Sequence, residues 1–175
     1  MTGRAPALLA AALLAGCATP PPATHEAAWT SGRLAVNIAA DAGQATQNMS
    51  VAFDLRGDGR AGELRLNSPL GTRVAQARWA PGLAVLETSE GERRFDTLDE
   101  LSRQALGEVL PLAALPDWIA GRPWAAAPHR AQGQGFEQLG WSVSLARRAE
   151  GWIEARRESP PAVVVRVRVD QDPKP

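Results

Sequence analysis

The feature that most constrains this chain is a two-residue alternation of apolar and polar side chains, broken repeatedly by turn-forming sequence. Leu34, Val36 and Ile38 alternate with Arg33, Ala35 and Asn37; Met49, Val51, Phe53 and Leu55 with Ser50, Ala52 and Asp54; Leu64 and Leu66 with Glu63, Arg65 and Asn67. A period of two sends the two sets to opposite faces of an extended chain, so each run predicts a half-buried strand. Gly57-Asp58-Gly59, Pro81-Gly82 and Glu90-Gly91 supply tight connections, and only the first loop, around Asp41-Ala42-Gly43, is longer. With further strands expected at 73–79, 83–88 and 92–95, the first half of the chain reads as a six-stranded antiparallel meander.

The period changes at Thr97. Thr97 and Glu100 have capping-box spacing, Leu98, Leu101, Ala105 and Leu106 follow at helical intervals, and Gly107 is a stop signal. A second helix is expected from Pro111 to about Ala120, with Leu112, Leu115, Trp118 and Ile119 on one face; Pro116 is tolerable there only within the first turn. Residues 124–134, rich in Ala, Gly and Pro, read as a loop. Strands resume at 136–139, 141–146, more weakly at 151–157, and at 163–169, where Val163, Val165, Val167 and Val169 face one way. A mainly β sheet of about ten to eleven strands would curl on itself, and two apolar helices inserted after the sixth strand would cover one opening.

The ends carry different information. Arg4 precedes an apolar run at 5–14 that is too short to span a bilayer, and Leu14-Ala15-Gly16-Cys17 closes it. This pattern predicts a lipoprotein signal peptide at 1–16 and an acylated Cys17. Ala18 stands where an aspartate would resemble an inner-membrane retention signal, which favours outer-membrane delivery. Residues 17–28 form a Pro-rich tether, 29–171 one domain, and 172–175 a tail. Cys17 is the only cysteine, so no intrachain disulfide can form. Loss of 1–16 removes Arg4 and no acid, leaving 18 basic against 19 acidic side chains, a balance that recruits no nucleic acid.

Catalytic candidates are scarce. His25 and His129 are the only histidines, each in a segment read as exposed, and no Asp/Glu/His cluster has metal-ligand spacing. Phosphate-loop, dinucleotide-binding and nucleophile-elbow sequences are missing. These features argue against an enzyme and imply no cofactor. Trp118 and Trp141 belong either to a filled core or to the lining of a cavity, and sequence does not separate the two. Arg147-Arg148 and Arg156-Arg157 read as solvated hairpin charges, with a docking patch as the alternative.

One turn is only half explained by turn chemistry. In Asn67-Ser68-Pro69-Leu70-Gly71-Thr72, Pro69 and Gly71 suit the backbone of a turn, but Leu70 does not need to be apolar. Either it folds back onto the core or it is a hydrophobic finger for a membrane or partner.

Several motifs together resemble the LolB family of outer-membrane lipoprotein receptors: Gly32-Arg33-Leu34-Ala35-Val36, Ser68-Pro69-Leu70-Gly71, Leu106-Gly107 before Leu110-Pro111-Leu112, Trp118-Ile119-Ala120-Gly121-Arg122-Pro123, and Gly140-Trp141-Ser142-Val143. The resemblance runs from about Trp29 to Gln171. It implies a half-open antiparallel β-barrel with a helical lid, whose cavity accepts the acyl chains of lipoproteins from the periplasmic carrier LolA. It also implies release of that cargo into the outer membrane by a lipid-anchored, periplasm-facing monomer. On this reading Cys17 is the acylated residue and Leu70 the membrane-inserting one. The expected cavity lining is Leu34, Val36, Ile38, Val51, Phe53, Leu64, Leu66, Leu115, Trp118, Ile119, Trp141 and Val143. The sequence departs from the family in its short segment before the first strand. Two other classes stand beside this one: a structural or assembly lipoprotein with a filled barrel, and an envelope hydrolase.

Overall fold

The computed structural model describes residues 28–41 and 45–171. The expected signal peptide, Cys17, nearly all of the tether, His25, the middle of the first loop and the 172–175 tail lie outside the described residues.

The alternating runs form one antiparallel sheet. Its strands are β1 (Thr30–Ile38), β2 (Gln47–Gly57), β3 (Gly62–Asn67), β4 (Arg73–Ala80), β5 (Leu83–Thr88), β6 (Gly91–Phe95), β7 (His129–Ala131), β8 (Gly135–Gln138), β9 (Trp141–Ser144), β10 (Trp152–Arg157) and β11 (Val163–Val169). The spatial order is β6-β5-β4-β3-β2-β1-β11-β10-β9-β8-β7, so the first and last strands of the chain meet in the middle and β6 and β7 are the edges. The β1–β11 pairing, Leu34 opposite Val167 and Val36 opposite Val165, aligns the apolar sets of the two halves. The two edges do not pair with each other, which makes the barrel half-open. Each edge resists addition of a foreign strand: β6 carries Glu92, Arg93 and Arg94, and β7 is only three residues long.

Helix α1 (Leu98–Leu106) is capped by the Thr97 side chain, which accepts from the Glu100 amide, and ends on the left-handed Gly107. It packs on β5 and β6, burying Leu98, Leu101 and Ser102. Helix α2 (Leu115–Ile119) is shorter than the pattern suggests. Residues 110–115 instead form successive tight turns, with the Ala114 amide donating to Pro111 O and that of Leu115 to Leu112 O. Pro116 falls in the first turn of α2, where its missing N–H breaks no helical bond. One strand, β7, lies inside the segment read as a loop. Its three residues are all exposed and it is held by backbone pairing and an Arg130–Glu137 ion pair, so it has no apolar alternation to betray it.

The inner face of the sheet packs against α1, α2 and the segment between them. Trp118 contacts Phe136 edge-on, with ring centroids 6.3 Å apart, and lies 6.2 Å from Trp141. Gln138 is a buried polar residue in this core, at 2% exposure. Its Oε1 accepts from Trp118 Nε1 (2.8 Å) and the Trp124 amide (2.9 Å), and its Nε2 donates to Trp124 O and Ala127 O (both 2.8 Å). One amide thus pins the chain after α2 to β8. Arg157 is likewise not the solvated charge expected: it bonds Glu108 (2.8 Å) and Pro161 O (3.0 Å) and stacks over Trp141. Arg147, Arg148 and Arg156 are exposed, and each is bonded to a neighbouring carboxylate or carbonyl.

On the outer face, Trp29 lies under the guanidinium groups of Arg56 (4.5 Å) and Arg65 (4.2 Å), which both bond Glu63. Burial pushes the Glu63 carboxyl up, but the bonds and charges of Arg56 and Arg65 outweigh it and hold the group below the ordinary glutamate value of 4.5. Hydrogen bonding from Arg156, aided by Arg166, likewise depresses Glu154 against its partial burial.

Two predictions follow from these polar contacts. Gln138→Leu leaves Trp118 Nε1 and the Trp124 amide without partners, and should lower unfolding free energy by about 2–4 kcal/mol in denaturant titrations. Because the folded-state values of Glu63 and Glu154 are lowered, their stabilisation is present above the ordinary glutamate range and lost as pH falls through the lowered values. Glu63→Gln should therefore flatten the acid limb of a stability–pH curve below about 4.5.

Candidate functional site

The antiparallel register sorts the hairpins to two ends. Ile38 faces Gln47 on one side and Val163 on the other, and the β3–β4, β5–β6, β8–β9 and β10–β11 turns lie at that same end. The start of β1 and the β2–β3 and β4–β5 turns lie at the opposite end.

Leu70 stands on the first of these rims. The Ser68 amide donates to Thr72 O (2.7 Å), the Gly71 amide to Ser68 O (2.9 Å), and the Thr72 amide to Ser68 Oγ (3.2 Å), so Ser68 closes the turn from both sides. Gly71, at φ 83°, supplies the left-handed residue the turn needs. Leu70 does not fold back on the core. It is 94% exposed, at the tip of a well-bonded turn.

Beneath the same rim, α1 and the inner face of β1–β5 leave a void of about 350 Å³. Leu34, Val36, Leu64 and Leu66 line it from the sheet; Leu101, Leu106, Leu110 and Leu112 line it from the helical side. A separate small pocket of about 30 Å³, sharing Leu34, Val36, Leu110 and Leu112 as walls, lies between Leu115, Trp118, Trp141 and Val165. The void reaches the surface where its lining is exposed, at Val74, Ser89, Glu90, Arg93, Gln104 and Ala105. A β-bulge helps to make this mouth: Leu66 pairs with Ala75 and Asn67 with Arg73, which leaves Val74 unpaired and 43% exposed.

Of the twelve apolar positions expected to line a cavity, four, Leu34, Val36, Leu64 and Leu66, border the void, and three more, Leu115, Trp118 and Trp141, border the small pocket beside it. The other five border neither. Ile38, Phe53 and Val143 are packed in the core at 3%, 2% and 2% exposure, Val51 packs against that core, and Ile119 borders a separate groove beside Arg148. Met49, Ala75 and Leu86 also line the void, as their alternation would allow; Val74 escapes that pattern because of the bulge.

The inner walls of this void are apolar and suited to hydrocarbon, whereas its mouth carries Glu90, Arg93 and Gln104. The larger groove of about 780 Å³ along β7–β9 is a different environment, with His129, Arg130, Glu137, Arg156 and Glu158 in its walls. Among the described residues no group of three or more His, Cys, Asp or Glu is placed to hold a metal ion, and no helix is long and apolar enough to cross a membrane.

A family model described as "Outer membrane lipoprotein LolB" matches residues 27–171. The chain belongs to the LolB family. Its relatives include proteins named "Outer-membrane lipoprotein LolB" from Bordetella petrii, 38% identical over 91% of this chain and 88% of that one, and from Chromobacterium violaceum, 36% identical over 80% of each. The Neisseria meningitidis protein of the same name is 30% identical over 81% of this chain and 76% of its own. The family match covers all eleven strands and both helices, and so includes the void and the Leu70 turn.

Ala75 lies opposite Leu66 and Thr88 on the wall of the void. Ala75→Phe should fill space rather than overpack, keeping or raising the melting temperature while abolishing saturable binding of a fluorescent fatty-acid probe.

Proposed function

We propose that this protein accepts lipoproteins from the periplasmic carrier LolA by taking their acyl chains into the void beneath α1, and inserts them into the outer membrane. It does so as a monomer, held on the periplasmic face of that membrane by an acylated Cys17. The observation that carries this reading is the shared rim: the mouth of an apolar void and the exposed Leu70 lie at the same end of the barrel. The names of the relatives agree with it. The void also counts against a filled barrel that binds only protein.

The volumes give a direction to the transfer. At about 30 Å³ for a water-sized group, 350 Å³ holds on the order of ten methylenes. At roughly 0.8 kcal/mol each, the void shelters about 8 kcal/mol of the roughly 12 kcal/mol that a fifteen-methylene chain costs in water. The bilayer shelters all of it. Cargo therefore moves downhill from cavity to membrane with no nucleotide chemistry, provided the mouth is held against the bilayer. Leu70 is the group suited to hold it there.

Leu70→Glu is expected to leave acceptance of cargo from LolA within about twofold, because Leu70 does not line the void, and to slow release into liposomes by about tenfold or more. Separate measurements of the LolA-to-receptor and receptor-to-liposome steps check this. Normal release by the variant would remove Leu70 from the mechanism.

A further inference from the structure

The β8–β9 hairpin turns on Leu139-Gly140, and Leu139 has a φ of +55°, the one positive value at a non-glycine among the described residues. Left-handed backbone disfavours leucine, and a two-residue hairpin turn of this kind ordinarily uses Asn, Asp or Gly at that position. Packing offers no return for the choice. Leu139 is 47% exposed and outside the buried core. A strained, half-exposed apolar residue outside the core is a candidate for what it meets outside the fold.

The register says where that is. Gln138 pairs with Trp141 and with His129 at the end of the barrel that carries Leu70 and the mouth of the void. Both tips have the sequence Leu-Gly with the glycine left-handed, at 83° for Gly71 and 77° for Gly140. Between them in the sheet lie β2, β1, β11 and β10, so the two leucines stand on different arcs of one rim.

We propose that Leu139 is a second bilayer-contacting tip, which together with Leu70 seats the rim on the membrane and fixes the tilt of the barrel. One contact leaves the domain free to rock about a point. Two, on separate arcs, press the mouth of the void against the hydrocarbon. Arg156 and Glu158, beside Leu139 in the outer groove, then sit at headgroup depth, where charged groups stay solvated. This inference rests on the membrane reading of Leu70.

The test is depth measurement on the full-length acylated chain in vesicles of phosphatidylethanolamine and phosphatidylglycerol. With Cys17 acylated, a cysteine introduced at one tip is the only free thiol, and it is labelled with an environment-sensitive dye. Leu70→Cys and Leu139→Cys should both shift to the blue and be quenched by doxyl-labelled lipids. Leu83→Cys, 43% exposed but on the β4–β5 turn at the opposite end, should remain aqueous. Quenching at 70 without 139 overturns the second contact and leaves the first; quenching at 139 without 70, at neither, or at 83 overturns the two-tip arrangement and the Leu70 reading with it. Leu139→Asn supplies a variant suited to the left-handed turn. It should keep or raise the melting temperature while slowing cargo release several-fold, and unchanged release in that stable variant would overturn the proposal.

Discussion

The structure depends on a mismatch between one curled sheet and the little that covers it. Eleven antiparallel strands present a single apolar inner face, and among the described residues no second sheet packs against it. The cover is helical and short. At about 1.5 Å per residue, the nine residues of α1 and five of α2 span roughly 13 Å and 7 Å, whereas the nine residues of β1 at about 3.3 Å run close to 30 Å. Helices of that size cannot shield the whole face. Between α1 and the sheet a space stays unfilled, and the bulge at Val74 opens it toward the rim.

The cover is attached in two distinct ways. Gln138 and Arg157 hold it with directed hydrogen bonds, Gln138 fixing the chain after α2 and Arg157 tying Glu108 to the β10–β11 turn, while Ser102 braces the cover internally by accepting from the Leu110 amide and donating to Asp99 O. The α1 surface facing the void is different, since Leu101 and Leu106 contribute only non-directional contacts there. Hydrocarbon can replace such contacts one for one, but it cannot replace the bonds to Gln138. The lid is thus anchored by hydrogen bonds at its C-terminal side and by apolar packing under α1.

Much of this was legible from the residues. The period of two, with the turn sequences between the runs, located ten strands, and the Thr97/Glu100 spacing with Gly107 bounded α1. Features decided by tertiary geometry were not legible. The edge strand β7 is exposed on all its residues and leaves no pattern, and the turns after Pro111 shorten α2 although its apolar spacing continues. The same limit applies to the site. Alternation identified residues pointing inward, but whether an inward residue meets a neighbour, as Phe53 does, or a void, as Leu64 does, depends on how tightly the sheet curls. Arg157 misled for a related reason, because its partner Glu108 is distant in sequence.

The point where β1 enters the barrel has a consequence for the leash that precedes it. Thr30 lies at the end away from Leu70, so a lipid on Cys17 and the tip of Leu70 can share one plane only if residues 17–28 run back along the height of the domain. A dozen residues span at most about 40 Å, against a strand height close to 30 Å. The slack is only about 10 Å. On the proposed function, with Cys17 acylated, the number of residues between Cys17 and β1 limits which end of the barrel can reach the bilayer.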